Sequence, residues 1–290
     1  MKKNLFLPLV LIFGILQSFG QNPRNTVRFG MVTDVHYADI PDNGIKTYNQ
    51  SLVKLKECVD TMNRQKVDFL VELGDLKDMN TPAAPAKALI YLFRAEKALS
   101  LFKGPLYHVL GNHDEDCISK KQFLSEARNT GIPANSTWYS FDTKGVHFIV
   151  LDACFDSVGH DYDKGKFNWG DPNIPSEELK WLKKDLREAT GATILFTHQP
   201  LDGETPYTIK NSRAVRKLLE NSGKVAAVFQ GHYHEGNYHF INGIHYYTLK
   251  ALVDGSGPEN NSYAIVEITP ENIRIKGFRK AVSMQFNNSR

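Results

Sequence analysis

The chain has 290 residues, of which 41% are hydrophobic and 23% are charged. The length is enough for one large or two small globular domains, and the composition argues against disorder. The formal net charge is +3, and it falls to +1 without residues 1–20, which hold two lysines and no acid. A nearly neutral chain without a basic run gives no electrostatic case for nucleic acid, and we expect no nucleic-acid partner.

The first 20 residues have the pattern of an export signal. Lys2 and Lys3 precede an apolar run from Leu5 to Leu16, and Ser18, Phe19 and Gly20 follow it. A transmembrane anchor is the alternative, but the run is shorter than the ~20 residues that a span needs. We therefore predict a signal peptide at 1–20, one domain over 21–290, export to the periplasm or medium, and no stable membrane insertion after cleavage.

The first half of the mature chain predicts parallel β-α-β units. Strands are expected at 27–33, 67–73 and 105–110, and helices at 48–65 and 82–101. Each strand runs directly into polar residues, which are Asp34 and His36, then Asp75, then Asn112, His113 and Asp114. The carboxyl ends of parallel strands share one edge of an open α/β sheet, so we expect these side chains to converge there.

The second half predicts a hairpin (138–141 and 146–151), then an irregular segment from 153 to 175. That segment holds four aromatic residues, four aspartates and His160. Long loops inside compact domains are usually functional, so we predict a substrate lid; a plain surface loop is the alternative. Beyond it we expect a helix capped by Ser176, a helix at 212–220, strands ending at His198 and at Gly231–His234, and a helix-poor meander of four strands.

Seven polar residues at strand ends form a candidate metal-binding set: Asp34, His36, Asp75, Asn112, His198, His232 and His234. They offer imidazole nitrogens and carboxylate or amide oxygens but no thiolate, which suits manganese, iron or zinc. Seven ligands are too many for one catalytic ion that keeps an open position, but they fit two ions sharing a carboxylate. Two ions on the order of 3.5–4 Å apart clamp an in-line displacement at phosphorus, with a bridging hydroxide as the nucleophile.

The candidate catalytic residues are His113 and Asp114. His113 follows Asn112 and is placed to give a proton to the leaving group, while Asp114 is expected to hold its ring and raise its pKa. No Ser/His/Asp or Cys/His pattern and no phosphate-cradling glycine loop competes with this interpretation. The three cysteines, Cys58, Cys117 and Cys154, are interpreted as buried thiols, with a Cys117–Cys154 disulfide as the alternative in an oxidising compartment.

Five blocks of the chain, in order, resemble those of the calcineurin-like metallophosphoesterases. The blocks are Asp34-Val-His36, Gly74-Asp75-Leu-Lys-Asp78, Gly111-Asn-His-Asp114, His198 and Gly231-His-Tyr-His234. The resemblance implies an α/β fold built as a four-layer α/β/β/α sandwich. It also implies that Asp34, His36 and His234 bind one metal, that Asn112, His198 and His232 bind the other, and that Asp75 bridges them.

A narrower resemblance is to the manganese-dependent ADP-ribose/CDP-alcohol diphosphatases. It rests on Phe29-Gly, Asp34-Val-His-Tyr-Ala-Asp39, Tyr107-His-Val-Leu-Gly-Asn-His113, Glu178-Leu-Lys-Trp-Leu182 and Gly243-Ile-His-Tyr-Tyr-Thr-Leu249. It implies cleavage of the pyrophosphate of small nucleoside diphosphate derivatives, with two divalent ions, manganese before iron or zinc.

The chain departs from that subfamily at two positions. The subfamily carries Gln at the place of His36 and Glu at that of Asp114, and export is unusual for an enzyme of soluble nucleotides. The alternatives are therefore a phosphodiesterase acting on cyclic nucleotides or glycerophosphodiesters, a phosphomonoesterase, and a non-catalytic binding protein. Asp78 stands where purple acid phosphatases carry a tyrosine ligand, which argues against a tyrosine-bound Fe(III) site.

Overall fold

The computed structural model describes residues 26–79 and 83–288, so the predicted signal peptide at 1–20 lies outside the described residues. Five α-helices lie in the described part of the chain: α1 (Ser51–Gln65), α2 (Pro85–Leu99), α3 (Lys120–Glu126), α4 (Ser176–Glu188) and α5 (Ser212–Ser222). None of the helices in these ranges combines the length and apolar character that a membrane span requires.

Twelve strands accompany these helices in the described residues. They are β1 (Val27–Val32), β2 (Phe69–Glu72), β3 (Leu106–His108), β4 (Tyr139–Thr143), β5 (Val146–Val150), β6 (Thr193–Thr197), β7 (Val225–Gln230), β8 (Asn237–Ile241), β9 (Ile244–Thr248), β10 (Ser262–Ile268), β11 (Asn272–Arg279) and β12 (Met284–Asn287).

The strands form two six-stranded sheets that pack face to face. The first has the order β12-β11-β10-β1-β2-β3 and the second β4-β5-β6-β7-β9-β8. One apolar core lies between the sheets, a second lies between the first sheet and α1, α2 and α3, and a third lies between the second sheet and α4 and α5. The predicted four-layer α/β/β/α sandwich is therefore confirmed.

Strand β1 shows how the sequence builds these layers. Phe29 and Met31 point into the core between the sheets, whereas Val32 points into the core under the helices, as the two-residue period of a strand requires. Gly30 lies on the helix side, where a β-carbon would come within 2.5 Å of the Met62 sulfur atom. The missing side chain therefore allows α1 to pack closely on β1.

We expect Phe29→Ala to lower the free energy of unfolding by about 3–5 kcal/mol, because the substitution leaves a cavity between the sheets. The Phe29 ring stacks on Phe69 at 5.0 Å and meets Phe196 edge-on at 5.5 Å. Urea unfolding followed by circular dichroism measures the change. Phe240→Ala is the control, because Phe240 is 58% exposed on β8. A loss below about 1 kcal/mol in Phe29→Ala would contradict this packing.

Two local expectations were wrong, and one helix was not predicted. The last strands are not a meander, because β9 pairs in parallel with β7 while β10 returns to the first sheet and pairs antiparallel with β1. Such pairing is decided by contacts distant in the chain, which local patterns do not report.

Ser176 does not cap α4, since it is the first helical residue and Pro175 holds the cap position without a side-chain bond. Helix α3 was missed, although Ser119 and Gln122 form a capping box at its start.

Candidate metal centre

The loops after β1, β2, β6 and β7 bring six of the seven candidate ligands together at one edge of the sandwich, and Asn112 follows β3, which is parallel to β2 and ends at the same edge. Four of them have a left-handed backbone: Asp34 (φ 51°), His36 (φ 44°), Asp75 (φ 60°) and His232 (φ 67°). A residue with a side chain pays about 1–2 kcal/mol for this conformation. Strain of this kind persists where the surrounding structure enforces it, and it is concentrated at functional sites.

Asp34, His36 and His234 form the first ligand cluster, with their ligand atoms all within 4.8 Å of one another. The His234 Nε2 and His36 Nε2 atoms lie 3.4 Å and 3.6 Å from the Asp34 Oδ1 atom. The two imidazole nitrogens are 3.2 Å apart. The three side chains therefore converge on one point with a carboxylate and two imidazoles.

Asp75, His198 and His232 form the second cluster at the same spacing. The Asp75 Oδ2 atom lies 3.1 Å from His198 Nε2 and 3.5 Å from His36 Nε2. One oxygen of Asp75 thus faces an imidazole of each cluster, which is the position required of a bridging carboxylate.

Several atoms of these clusters are buried without a hydrogen-bond partner among the described residues. They are Asp34 Oδ1, His198 Nε2 and His232 Nε2, and the amide oxygen of the remaining candidate ligand, Asn112 Oδ1, is buried and unpaired as well. A buried polar atom left unpaired costs about 1–3 kcal/mol, so native proteins keep few of them and usually for a reason. Four such ligand atoms at one sheet edge fit a centre that holds two divalent cations.

The opposite nitrogen of each of three histidines is held by the protein. His36 Nδ1 lies 3.0 Å from Asp78 Oδ2, and His234 Nδ1 lies 3.0 Å from Asp254 Oδ1. His198 Nδ1 donates to the carbonyl oxygen of Leu73 at 2.8 Å. These bonds fix the rings and leave Nε2 free, as partners of metal-binding histidines do. Sequence reasoning missed Asp254, which follows no motif.

Burial and neighbouring charge set the ionisation of the clusters. Burial raises the pKa of Asp75, but His198, His113 and His36 outweigh it, so the pKa lies below its usual range. Burial opposes protonation of His198, yet Asp75 and Asp34 raise its pKa to about 9. Burial together with His198 lowers the pKa of His232 to about 3. Asp75 is therefore ionised and faces the positive charge of protonated histidines such as His198. Bound cations can supply that positive charge instead.

Two glycines leave space for the ligands. Gly74 has a φ of +99°, and a β-carbon there would lie 2.6 Å from His198 Nδ1. A β-carbon at Gly111 would overlap the amide nitrogen and carboxylate of Asp75. Only glycine fits both positions, which explains why the Gly-Asp and Gly-Asn-His-Asp blocks begin as they do.

Asp114 does not hold the ring of His113, contrary to the expectation from sequence. Its two carboxylate oxygens accept the backbone amides of Asp75, Leu76 and Gly111 at 2.9–3.0 Å. Residues 112–115 form a 3₁₀ turn, in which consecutive side chains point about 120° apart. Asp114 is thereby directed into the interior, where it ties the second and third blocks together.

Two other carboxylates face His113 Nδ1: Asp78 Oδ1 is nearer, at 3.2 Å, and Asp116 Oδ2 lies at 3.6 Å. The other oxygen of Asp78 holds His36, so one side chain contacts both a candidate ligand and the candidate proton donor. Burial opposes protonation of His113, but Asp78 and Asp75 raise its pKa to about 10. The expected elevation is present, with a different carboxylate as its main source.

A pocket of about 390 Å³ opens over the centre. It is bordered by Asp75, His113, His232 and His234, by Tyr233 of the last block, and by four residues outside the five blocks: Lys46, Trp169, Tyr207 and Glu235. Trp169 comes from the predicted lid at 153–175, a described segment that contains isolated bridges but no helix or full strand. A larger hollow of about 460 Å³ lies beside α3, and none of the candidate ligands borders it.

The three cysteines are buried, and none is in a disulfide. Cys154 Sγ instead lies 3.6 Å from the carbonyl oxygen of Leu110 and 3.5 Å from Gln199 Nε2. Burial raises the pKa of the Cys58 and Cys154 thiols well above the usual value. The interpretation as buried thiols is confirmed.

The two facing sheets covered by helices are the fold of metallophosphoesterases. A sequence profile described as calcineurin-like phosphoesterase matches residues 27–236, and the chain belongs to this family. A manganese-dependent ADP-ribose/CDP-alcohol diphosphatase from Oryza sativa subsp. japonica is 26% identical, over 92% of this chain and 95% of the relative. The serine/threonine-protein phosphatase CPPED1 from Bos taurus is 26% identical, over 80% of this chain and 74% of the relative.

Solved structures agree on the architecture. A dimetal phosphatase from Danio rerio superposes with a TM-score of 0.78, at 21% sequence identity, over 91% of this chain and 99% of that chain. At this identity the likeness shows the shared fold.

Proposed function

We propose that the protein is a hydrolase that uses two divalent cations, manganese first, to cleave the pyrophosphate of small nucleoside diphosphate derivatives. The observation that carries the proposal is the pair of ligand clusters with an Asp75 oxygen facing both, together with four buried ligand atoms that lack a hydrogen-bond partner among the described residues. The diphosphatase subtype is supported by the relatives of that name, which match this chain over most of its length. Iron or zinc would suit the same donor atoms.

In this proposal Asp34, His36 and His234 hold one cation, Asn112, His198 and His232 hold the other, and Asp75 contacts both. Bound there, two divalent ions would stabilise charge on phosphoryl oxygens and supply a nucleophilic water at neutral pH. The protein contributes the rigid placement of the ligands through the bonds to Leu73, Asp78 and Asp254.

His113 supplies the leaving group with a proton. Because Asp78 occupies the Nδ1 side of the ring, Nε2 is the nitrogen left to face a substrate. The His113 side chain is 19% exposed, so its ring is reachable from the pocket. Asp114 serves catalysis indirectly, since its bonds to backbone amides hold the turn that carries Asn112 and His113.

Phosphomonoester hydrolysis is the second candidate, favoured by the similarity to a serine/threonine-protein phosphatase. A hydrolysis panel separates the possibilities: ADP-ribose, CDP-choline, cyclic AMP, a bis-aryl phosphodiester and an alkyl phosphomonoester, each with the manganese-loaded protein. We expect the two diphosphates to give the highest kcat/KM. A higher kcat/KM for cyclic AMP or the monoester would replace the proposed substrate class, and no turnover of any compound would overturn the hydrolase itself.

Asp254→Asn is expected to weaken manganese binding about 10–100-fold, because Asp254 orients His234 through Nδ1 without lying in the cluster itself. Equilibrium dialysis measures the affinity. Asp185→Asn is a matched control. Asp185 lies on α4 and also accepts a hydrogen bond from a histidine, but that histidine is His147 on β5, which is not a candidate ligand. Equal affinities in wild type and Asp254→Asn would contradict this role.

We further propose that the chain is exported and that residues 1–20 are removed. The support is the order of charged, apolar and small residues at the amino terminus. Intact-mass measurement of full-length protein expressed in a bacterial host is expected to give a chain beginning near Gln21, in the periplasm or medium. A product that keeps Met1 and stays in the cytoplasmic fraction would contradict export.

A further inference from the structure

Trp169 is a large apolar side chain that is left nearly half exposed inside the pocket. It is 43% exposed, and its ring lies 4.4 Å from the ring of His113, the proposed proton donor. Exposed aromatic surface in a pocket marks a contact with a ligand more often than a defect of packing. The position beside His113 places the indole on the leaving-group side of the centre.

The indole is supported from behind by a stack of aromatic rings. Phe167 lies 5.5 Å from Trp169 and stacks in parallel on Tyr162 at 4.1 Å. Tyr162 is only 1% exposed, and its hydroxyl donates to the carbonyl oxygen of Asn168 at 3.1 Å. The ring of Trp169 is thus held in place before any ligand arrives, which lowers the entropy that binding would cost.

The segment that carries this stack is itself anchored. The Lys120 ammonium group lies 2.7 Å from Asp152 and 2.8 Å from Asp161, and 3.4 Å above the ring of Phe155. The Gly165 amide donates to the Glu115 carbonyl oxygen at 2.8 Å, which joins the segment to the 3₁₀ turn after β3. Trp169 and His113 are therefore placed on connected parts of the protein, as a shared role in one site requires.

We propose that Trp169 is a specificity-determining residue whose indole stacks on a planar aromatic ring attached to the leaving phosphate, such as a nucleobase. This inference rests on the proposed diphosphatase function, and it names the residue that would make the enzyme prefer substrates with a nucleoside. A phosphate group alone does not use an indole face, whereas every nucleobase offers a π-face of matching size. Because stacking tolerates different bases, Trp169 would favour nucleoside substrates without selecting one particular base.

The first experiment compares substrates with and without a ring. The ratio of kcat/KM for CDP-choline or ADP-ribose to that for P1,P2-dimethyl diphosphate, followed by ³¹P NMR, is expected to fall about tenfold or more in Trp169→Ala. Trp169→Phe keeps a ring and should recover most of the ratio. Phe240→Ala, which removes a 58% exposed ring on β8 away from the pocket, should leave it unchanged. An unchanged ratio in Trp169→Ala would overturn the inference.

The second experiment reads the stack without turnover. CMP added to the manganese-loaded protein is expected to quench tryptophan fluorescence, whereas ribose 5-phosphate is not, and Trp169→Phe should abolish the quenching. Quenching that persists in Trp169→Phe, or that ribose 5-phosphate reproduces, would overturn the inference. Failure of the proposed function looks different, since the wild type would then hydrolyse neither class of diphosphate.

Discussion

Asp75→Ala is expected to lower kcat/KM by about 10³-fold or more and to reduce the bound manganese from two ions to one or none. One carboxylate oxygen of Asp75 lies 3.1 Å from His198 of the second cluster and 3.5 Å from His36 of the first, whereas the oxygen of Asp34 is 4.0 Å from His198. Losing a cation removes several kcal/mol of transition-state stabilisation, which corresponds to a factor of this size. Plasma mass spectrometry of the dialysed protein measures the metal, and the substrate panel measures the rate.

The same variant has a readout that does not depend on turnover. A cation that binds the folded chain and not the unfolded chain stabilises the fold, so manganese at 100 times Kd should raise the wild-type unfolding free energy by about 2.7 kcal/mol. This increase should shrink in Asp75→Ala and persist in Asp60→Ala, which removes an exposed carboxylate from α1. Full metal content and normal rates in Asp75→Ala would refute the shared-ligand role.

The positions of the candidate ligands were predictable because strand ends are local features. Val27–Val32 and Phe69–Glu72 are short apolar runs that end in polar residues, and parallel pairing of β1 with β2 brings those ends together. The register of the strands, set by burial of Phe29 and Phe69 between the sheets, then places Asp34 beside Asp75. Sequence periodicity reports the strands and their buried faces, and the strand-helix-strand order predicts that β1 and β2 are parallel.

The supporting residues were not predictable in the same way. Asp254 meets His234 across the site and Tyr207 lies 5.2 Å from His232, yet both stand in irregular loops without a spacing pattern. The role of Asp114 depended on the direction of one side chain in a 3₁₀ turn, which sequence spacing leaves open. Contacts between loops depend on tertiary packing, and residues adjacent in sequence can face opposite sides of a turn.

Substitutions of Asp78 and Asp114 can show which of the two carboxylates orients the proposed proton donor, His113. If Asp78 orients His113, then Asp78→Asn should disturb the leaving-group dependence described below, and Asp114→Asn should act mainly on stability through the backbone amides that it accepts. The two carboxylates therefore affect His113 by different routes, one through the ring and one through the turn.

His113→Ala is expected to keep both metal sites and to slow hydrolysis most for poor leaving groups. General acid catalysis contributes about 10²–10⁴-fold when the departing oxygen needs a proton. An activated aryl ester leaves as a stable anion and gains little from it, so a plot of log kcat/KM against leaving-group pKa should become steeper in the variant. A series of aryl and alkyl esters of one phosphate, measured with saturating manganese, gives this slope.

His160→Ala is the matched control for this series. His160 is an imidazole with 79% side-chain exposure whose Nδ1 faces Asp156, and it lies outside the pocket. Its removal should leave both the slope and the rates unchanged. That result would show that the effect of His113→Ala comes from this particular histidine and not from removing a histidine in general. Equal slopes in wild type and His113→Ala, with normal manganese content, would remove His113 from the role of proton donor, because a group that protonates the leaving oxygen must alter the sensitivity to that oxygen's basicity.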